Sequence, residues 1–218
     1  KSHVSELRSW SDPGGRGNRM LRTLDWPLDN LGRAIVVARQ TGTAGTYLNV
    51  TWPGFAGIAT AMAPGRFAAA LNQPPIRKQT FSCWLDWAII RGRVLQSRAL
   101  PPAHLLRRVF DTCRTYAEAR ALLMETPLCM PAFFTLSGAE PDQGCVIERT
   151  ESAARSRESP ATAANHWLSF PFPGWPRGEA SEKRYRRMTE VHRRAPDGFG
   201  WAGGDFLGRW LWFVAVSK

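Results

Sequence analysis

The succession of hydrophobic periods along this chain predicts an α+β fold: one domain of 218 residues in which two mostly antiparallel sheets face each other between helical layers. Three observations carry that expectation. Residues 33–72 form a meander of short apolar runs, punctuated by Gly42, Gly45, Pro53-Gly54 and Pro64-Gly65 at hairpin spacing. From about Phe81 the apolar period changes from two to that of a helix. Strand-like runs then return at Ala132, and a basic helical segment follows at Ser181. Strands, helices, strands and a helix in this order are what a helix-covered pair of sheets requires.

The elements follow in turn. Residues 5–10 read as a first strand, Asp12-Pro13-Gly14-Gly15 as a turn, and residues 19–26 as the returning strand. The meander is expected as strands over 33–39, 47–52, 55–62 and 66–72. Alanine and glycine dominate the last two, which implies that another layer packs closely over them. Trp84, Trp87, Ala88 and Leu95 share one face of a helix over 81–98. Pro102 opens a second helix whose apolar residues are Leu105, Leu106, Val109 and Phe110. Thr115-Tyr116-Ala117-Glu118 is a capping box, and Tyr116, Ala119, Leu122 and Leu123 are the stripe of a third. Strands are expected at 132–136 and 144–149, a polar loop or short helix at 151–162, and a last helix at 181–194. The Trp-rich stretch 201–218 reads as a final strand or an altered tail.

Composition narrows the classes of function. A net charge of +11 suits a nucleic-acid or anionic-surface partner, yet the arginines are spread along the whole chain. The densest run, Lys183-Arg184-Tyr185-Arg186-Arg187, falls on the last helix and reads as a solvated face. Four cysteines (Cys83, Cys113, Cys129, Cys145) have neither CxxC nor Cys/His metal spacing, so no metal and no cofactor is expected. Buried free thiols are their default state, which sets the expectation of a reducing, cytoplasmic setting. No apolar run approaches the length of a membrane span. Among the ten tryptophans, Trp52, Trp84, Trp87 and Trp167 stand where a pocket could use them.

The most informative stretch is Asn18-Arg19-Met20-Leu21-Arg22-Thr23-Leu24-Asp25-Trp26. As a strand it presents Arg22 and Leu24 on one face, with Asp25 at its end. A paired arginine and carboxylate at a buried strand end is costly unless it orients something. Further along, Asn72 ends the alanine-rich strand Ala69-Ala70-Leu71-Asn72. Cys145-Val146-Ile147-Glu148-Arg149-Thr150 forms another strand, and Asn165 stands in Ala164-Asn165-His166-Trp167. Ser181-Glu182-Lys183-Arg184 opens the last helix. This series resembles the N-terminal-nucleophile (Ntn) amide hydrolases, namely the choloylglycine hydrolases, acid ceramidases and isopenicillin N acyltransferases, over residues 18–190. The resemblance implies an αββα sandwich.

It also implies roles. In the family a cysteine about sixteen residues before the arginine is the nucleophile, and its own α-amine is the general base. Here that slot falls near Ser5 or Glu6, with no cysteine nearby; Ser5 fits it once cleavage after Val4 frees its amine. Asp25 is then expected to hold nucleophile and amine, and Arg22 to stabilise the anionic nucleophile. The amides of Asn72 and Asn165 are expected to donate to the oxyanion, and Arg184 to add positive charge behind them. Each residue also has a plainer reading. Both asparagines suit strand-end turns, Ser181 a helix cap, and His166 a structural histidine, because this mechanism needs no imidazole.

The expected function is hydrolysis of linear C–N bonds in a small N-acyl amide, or acyl transfer, with a catalytically silent relative as the outcome if no nucleophile is present. The alternative is a non-enzymatic protein binding a ligand in the same pocket. A basic nucleic-acid or anionic-surface module rests on charge alone, so no nucleic-acid partner is expected. A homo-oligomer is compatible with the sequence.

Overall fold

A computed structural model describes residues 4–11, 17–25, 31–177, 180–194 and 211–215. Strands β1 (Val4–Ser11) and β2 (Asn18–Asp25) form an antiparallel hairpin whose register sets Val4 opposite Asp25 and Ser5 opposite Leu24. β11 (Ala161–Ala163) adds to β1 and β13 (Leu211–Ala215) to β2, giving a four-stranded sheet in the order β11-β1-β2-β13. The second sheet has seven antiparallel strands. Its meander is β3 (Val36–Gly42), β4 (Gly45–Thr51), β5 (Thr60–Ala63) and β6 (Phe67–Asn72). β8 (Ala132–Gly138), β9 (Gly144–Arg149) and β10 (Ala154–Glu158) complete it beside β6. A separate two-stranded ribbon pairs β7 (Ile76–Arg77) with β12 (Gly174–Trp175).

Helices α2 (Pro102–Thr112) and α3 (Tyr116–Glu125) cover the outer face of the seven-stranded sheet. Helix α4 (Ser181–Arg194) lies against β1 and β11 of the other sheet. The layering is therefore αββα. Period two along β6 explains how one strand serves two cores. Phe67 and Ala69 join the helix-side core with Tyr47, Leu106, Phe110 and Phe134. Ala68 and Ala70 point the other way, into a thin core with Met20, Val146, Ala161 and Ala163. Small side chains there let the two sheets approach closely. Thr115 caps α3 as its sequence promised: its side chain accepts from the Glu118 N–H at 3.2 Å.

Four expectations need correction. The first meander strand begins at Val36 after a 3-10 turn, Leu31–Ala34, and runs on to Gly42. Gly42 belongs there because a Cβ would fall 2.4 Å from the Asp111 backbone. The strand expected over 55–62 forms only from Thr60, because Ile58 gives its N–H to Ala103 O of α2 at 2.9 Å instead of to a ladder. Residues 151–162 are mostly strand, since β10 is a sheet edge whose Ser156 and Glu158 bond Arg120 of α3.

The fourth concerns helix α1 (Cys83–Gln96), whose apolar stripe faces solvent. Trp84 is 81% exposed and Leu95 78%, while Asp86 is fully buried. Asp86 is what fastens the helix: it accepts from the Gln79 and Thr80 N–H groups and from Trp175 Nε1 at 2.7 Å. Burial pushes its carboxyl up, but the hydrogen bonds from Trp175, Gln79 and Thr80 outweigh this and hold it below the usual carboxylate value.

Phe110 packs on Tyr47 and Phe67 with ring centroids 5.3 and 5.0 Å away, so Phe110→Ala is expected to cost about 3–5 kcal/mol in urea unfolding. Gly92 sits in the interior of α1 with open space where a Cβ would go. Gly92→Ala should raise stability by up to about 1 kcal/mol in the same measurement.

Candidate active site

Where the two sheets meet at one end, they enclose a recessed cavity of about 150 Å³. β2 contributes Arg22 and Leu24, the end of β6 contributes Leu71, Asn72 and Gln73, and Asn165 enters from the segment after β11. Phe55, Ala59, Met130 and the Pro101-Pro102 and Pro131-Ala132 turns make the remaining wall apolar. Leu24, which stands opposite position 5 in the β1–β2 ladder, lines this cavity, so the backbone of Ser5 runs beside it.

Arg22 is 2% exposed. Its Nη1 donates to Ala59 O and its Nη2 to Leu71 O at 2.8 Å, so the guanidinium is solvated by strand-end carbonyls of the opposite sheet. Among the described residues no carboxylate pairs with it, and Nε has no hydrogen-bond partner. Burial lowers its pKa to about 9. A cation held this way favours any negative charge that develops in the cavity.

Asn72 and Asn165 are 1% and 2% exposed and face each other across the sheet ends. Asn72 Nδ2 donates to Ala164 O at 3.3 Å, and Asn165 Nδ2 to Gln73 O at 2.9 Å. Each asparagine is thus tied to the main chain next to the other. Arg184 Nη2 donates to Asn165 Oδ1 at 3.2 Å. Because a guanidinium has donors only, this contact fixes which end of the Asn165 amide is oxygen and turns its NH₂ toward the cavity side. An amide nitrogen carries two hydrogens, so one bond to a carbonyl is compatible with a second to an oxyanion.

Behind Asn165, Ser181 Oγ accepts from the Asn165 N–H at 2.8 Å and lies 2.8 Å from His166 Nδ1. A serine oxygen can accept twice or accept once and donate once, so either tautomer of His166 satisfies this contact. Ala180, just before, holds a left-handed φ of 49°, so the start of α4 is set at a cost in backbone strain. Glu148 steadies the other flank by accepting from the Leu168 and Ser169 N–H groups.

Arg22, Asn72 and Asn165 thus meet on one cavity, and Arg184 reaches it through the Asn165 amide. The side chains of Ser5 and Asp25 lie outside the described residues. Trp84 and Trp87 stand on the exposed face of α1, whereas Trp167 lines a groove next to Asn165. Sequence reasoning missed Gln73, whose main-chain oxygen anchors Asn165, and Arg177, which bonds the Gln73 side chain at 3.0 Å. Neither carries a pattern: one follows a strand end and the other sits in a proline-rich loop.

Burial is the main influence on His166 and lowers its pKa below 6.5, with Arg184 and Arg157 acting the same way against Glu182 and Glu148. The unfolded chain then binds more protons than the native one just below pH 6.5, so stability falls as pH drops through that window. Urea unfolding at pH 7.5 and 5.5 should show this loss, and His166→Asn should reduce it. An NMR titration of the imidazole should place its midpoint below 6.5.

No protein-family model matches the chain. Among curated proteins it is similar to acid ceramidase from Pan troglodytes, 32% identical over 99 residues, which are 45% of this chain and 24% of that protein. Acid ceramidase from Homo sapiens is 30% identical over the same length. The N-acylethanolamine-hydrolyzing acid amidase of Caenorhabditis elegans is 23% identical over 180 residues, 79% of this chain and 48% of that one. The chain therefore spans from about a quarter to about half the length of these relatives. In structure it is similar to a Caenorhabditis elegans ortholog of that amidase, with a TM-score of 0.65 at 20% identity, covering 87% of this chain and 77% of that one. The αββα layering, the hairpin that bears Arg22 and these likenesses agree: the chain has the N-terminal-nucleophile hydrolase fold and is similar in sequence to acid ceramidases and to an acid amidase.

Proposed function

We propose that the site hydrolyses the linear C–N bond of N-acyl amides, with the residue at position 5 as nucleophile once its α-amine is free. The observation that supports this best is the meeting of Arg22, Asn72 and Asn165 on one apolar cavity beside the strand that carries position 5. The acyl chain lies in the cavity, with its carbonyl at the two asparagines. The free amine takes the proton of the position-5 hydroxyl, whose oxygen attacks the carbonyl carbon. The amides of Asn72 and Asn165 donate to the resulting oxyanion, an interaction worth roughly 3–4 kcal/mol per donor in comparable sites. The tetrahedral intermediate expels the amine, which leaves with the proton that the ammonium returns. Water then attacks the acyl-enzyme by the same route in reverse order. In this proposal Arg22 favours the anionic nucleophile and oxyanion, Asp25 orients the amine, and Arg184 holds Asn165 in its donating orientation.

The same reasoning makes the chain silent while the Val4–Ser5 bond is intact, because an amide nitrogen has no basic lone pair. The unprocessed chain is then a binder of N-acyl ligands without turnover, which is the second reading. Activity should appear when Ser5→Cys is installed and the chain is cut directly before it. The expected result is hydrolysis of a small chromogenic N-acyl amide several orders of magnitude above the uncut chain, abolished by Asp25→Asn. Turnover by the uncut chain that ignores Asp25→Asn would move the chemistry to another site.

A further inference from the structure

Strands β6, β8, β9 and β10 bring one residue each into a single transverse row: Asn72 pairs with Phe133, Phe133 with Glu148, and Glu148 with Arg155. Directly paired residues of antiparallel strands project from the same face. Period two places this row on the face that bears Ala68, Ala70 and Val146, at the end of the sheet. The chain that follows β11 runs across the row, and each member holds the next part of it. Asn72 Nδ2 donates to Ala164 O at 3.3 Å. The Phe133 ring meets Trp167 edge to face at 4.8 Å. Glu148 accepts from the Leu168 N–H at 3.2 Å and the Ser169 N–H at 2.9 Å. Arg155 donates to Ser169 O, and its guanidinium lies 4.7 Å from the centre of the Phe170 ring. Asn165 rides in this segment, between the first hold and the second.

Glu148 is the costly member of the row. It is 1% exposed and is not part of the cavity wall. Arg157 Nη2 stands 3.5 Å from its Oε1 and also donates to Thr162 O at 2.9 Å. One ion pair therefore closes on both ends of residues 162–169. Glutamine has nearly the same volume but no charge, so at this position it keeps the packing and weakens the hold on Arg157 and on the two N–H groups.

We infer that Glu148 is a positioning residue for Asn165: through the main chain of Leu168 and Ser169 it sets where the Asn165 amide stands relative to that of Asn72. The inference rests on the reading that these two amides serve one oxyanion. Two donors must converge on one atom, and both are referred to the same sheet row, with only Phe133 between Asn72 and Glu148. Misplacing such a donor by about 1 Å costs up to about a hundredfold in rate, and the loss falls on the transition state more than on substrate binding.

The test uses the Ser5→Cys chain cut directly before position 5 and a small chromogenic N-acyl amide. Glu148→Gln should lower kcat about tenfold or more and leave KM within about twofold. Glu158→Gln, at an exposed residue of the same edge strand, should change neither. With Asn165→Ala already present, Glu148→Gln should have no further effect, because the group it acts through is gone. Equal losses in the two backgrounds would mean a merely structural role and overturn the inference. A second measurement does not depend on turnover. In the uncut chain labelled with ¹⁵N-asparagine, Glu148→Gln should shift the Asn165 side-chain signals, identified by their loss in Asn165→Ala, and leave those of Asn18 in place. Unmoved Asn165 signals overturn the inference whatever the kinetics. If Glu148→Gln does not fold, Arg157→Gln should give smaller changes in the same direction. No turnover by the cut Ser5→Cys chain overturns the amide-hydrolase reading, and the NMR shift then decides by itself whether Glu148 sets the Asn165 amide.

Discussion

A buried cation held by main-chain carbonyls governs the architecture around the site. Arg22 projects from the four-stranded sheet into the other one and is solvated there by the carbonyls of Ala59 and Leu71. Ala59 stands just before β5 and Leu71 near the end of β6, and the two are themselves joined by a bond from the Leu71 N–H to Ala59 O at 2.9 Å. The long side chain also needs the sheets to lie at one fixed separation. Ala68, Ala70, Ala161 and Ala163 supply that separation, since larger residues in the thin core would push the sheets apart. The alanine-rich strands and the buried arginine are two sides of one constraint. A charge so placed costs energy in the resting protein, and that cost is characteristic of sites where negative charge later develops.

Donors aimed in advance are the second theme. Asn72 and Asn165 are each fastened to the backbone next to the other, and Arg184 decides the orientation of the Asn165 amide. Ser181 and His166 hold the main chain of Asn165 from behind. In the proposed reaction these amides would meet an oxyanion already oriented, as buried preorganised dipoles do in comparable sites. The aligned contacts come from segments far apart in sequence, so the site exists only when both sheets and α4 are in place.

The sequence revealed most where a periodic pattern and a local signal coincided. The capping box at Thr115 and the proline at the start of α2 gave elements close to those observed, as did the meander strands that became β4 and β6. Arg22, Asn72, Asn165 and Arg184 were grouped by the family resemblance of the short motifs around them, since periodicity singles out none of the four. Tertiary competition defeated it elsewhere. The N–H of Ile58 goes to α2, so half of an apparent strand never joins a ladder. Polar β10 pairs because it is an edge whose side chains have a helix to bond. In α1 a single carboxylate with three donors decides which face turns inward, and hydrophobicity does not. Arg177 was invisible because its environment, not its neighbours in sequence, makes it unusual.

The strand order also carries a consequence for the birth of the molecule. The seven-stranded sheet is built from hairpins between near neighbours, β3 to β6 and then β8 to β10, with β6 and β8 as its one longer closure. The four-stranded sheet joins the first two strands to β11 and β13, so it draws on both ends of the chain. During vectorial synthesis the large sheet can therefore condense while the opening hairpin still waits for its flanking strands. The seam that holds Arg22 is the last part to close. A nascent chain thus passes through a period when the Arg22 guanidinium is still hydrated and the opening hairpin has no flanking strand.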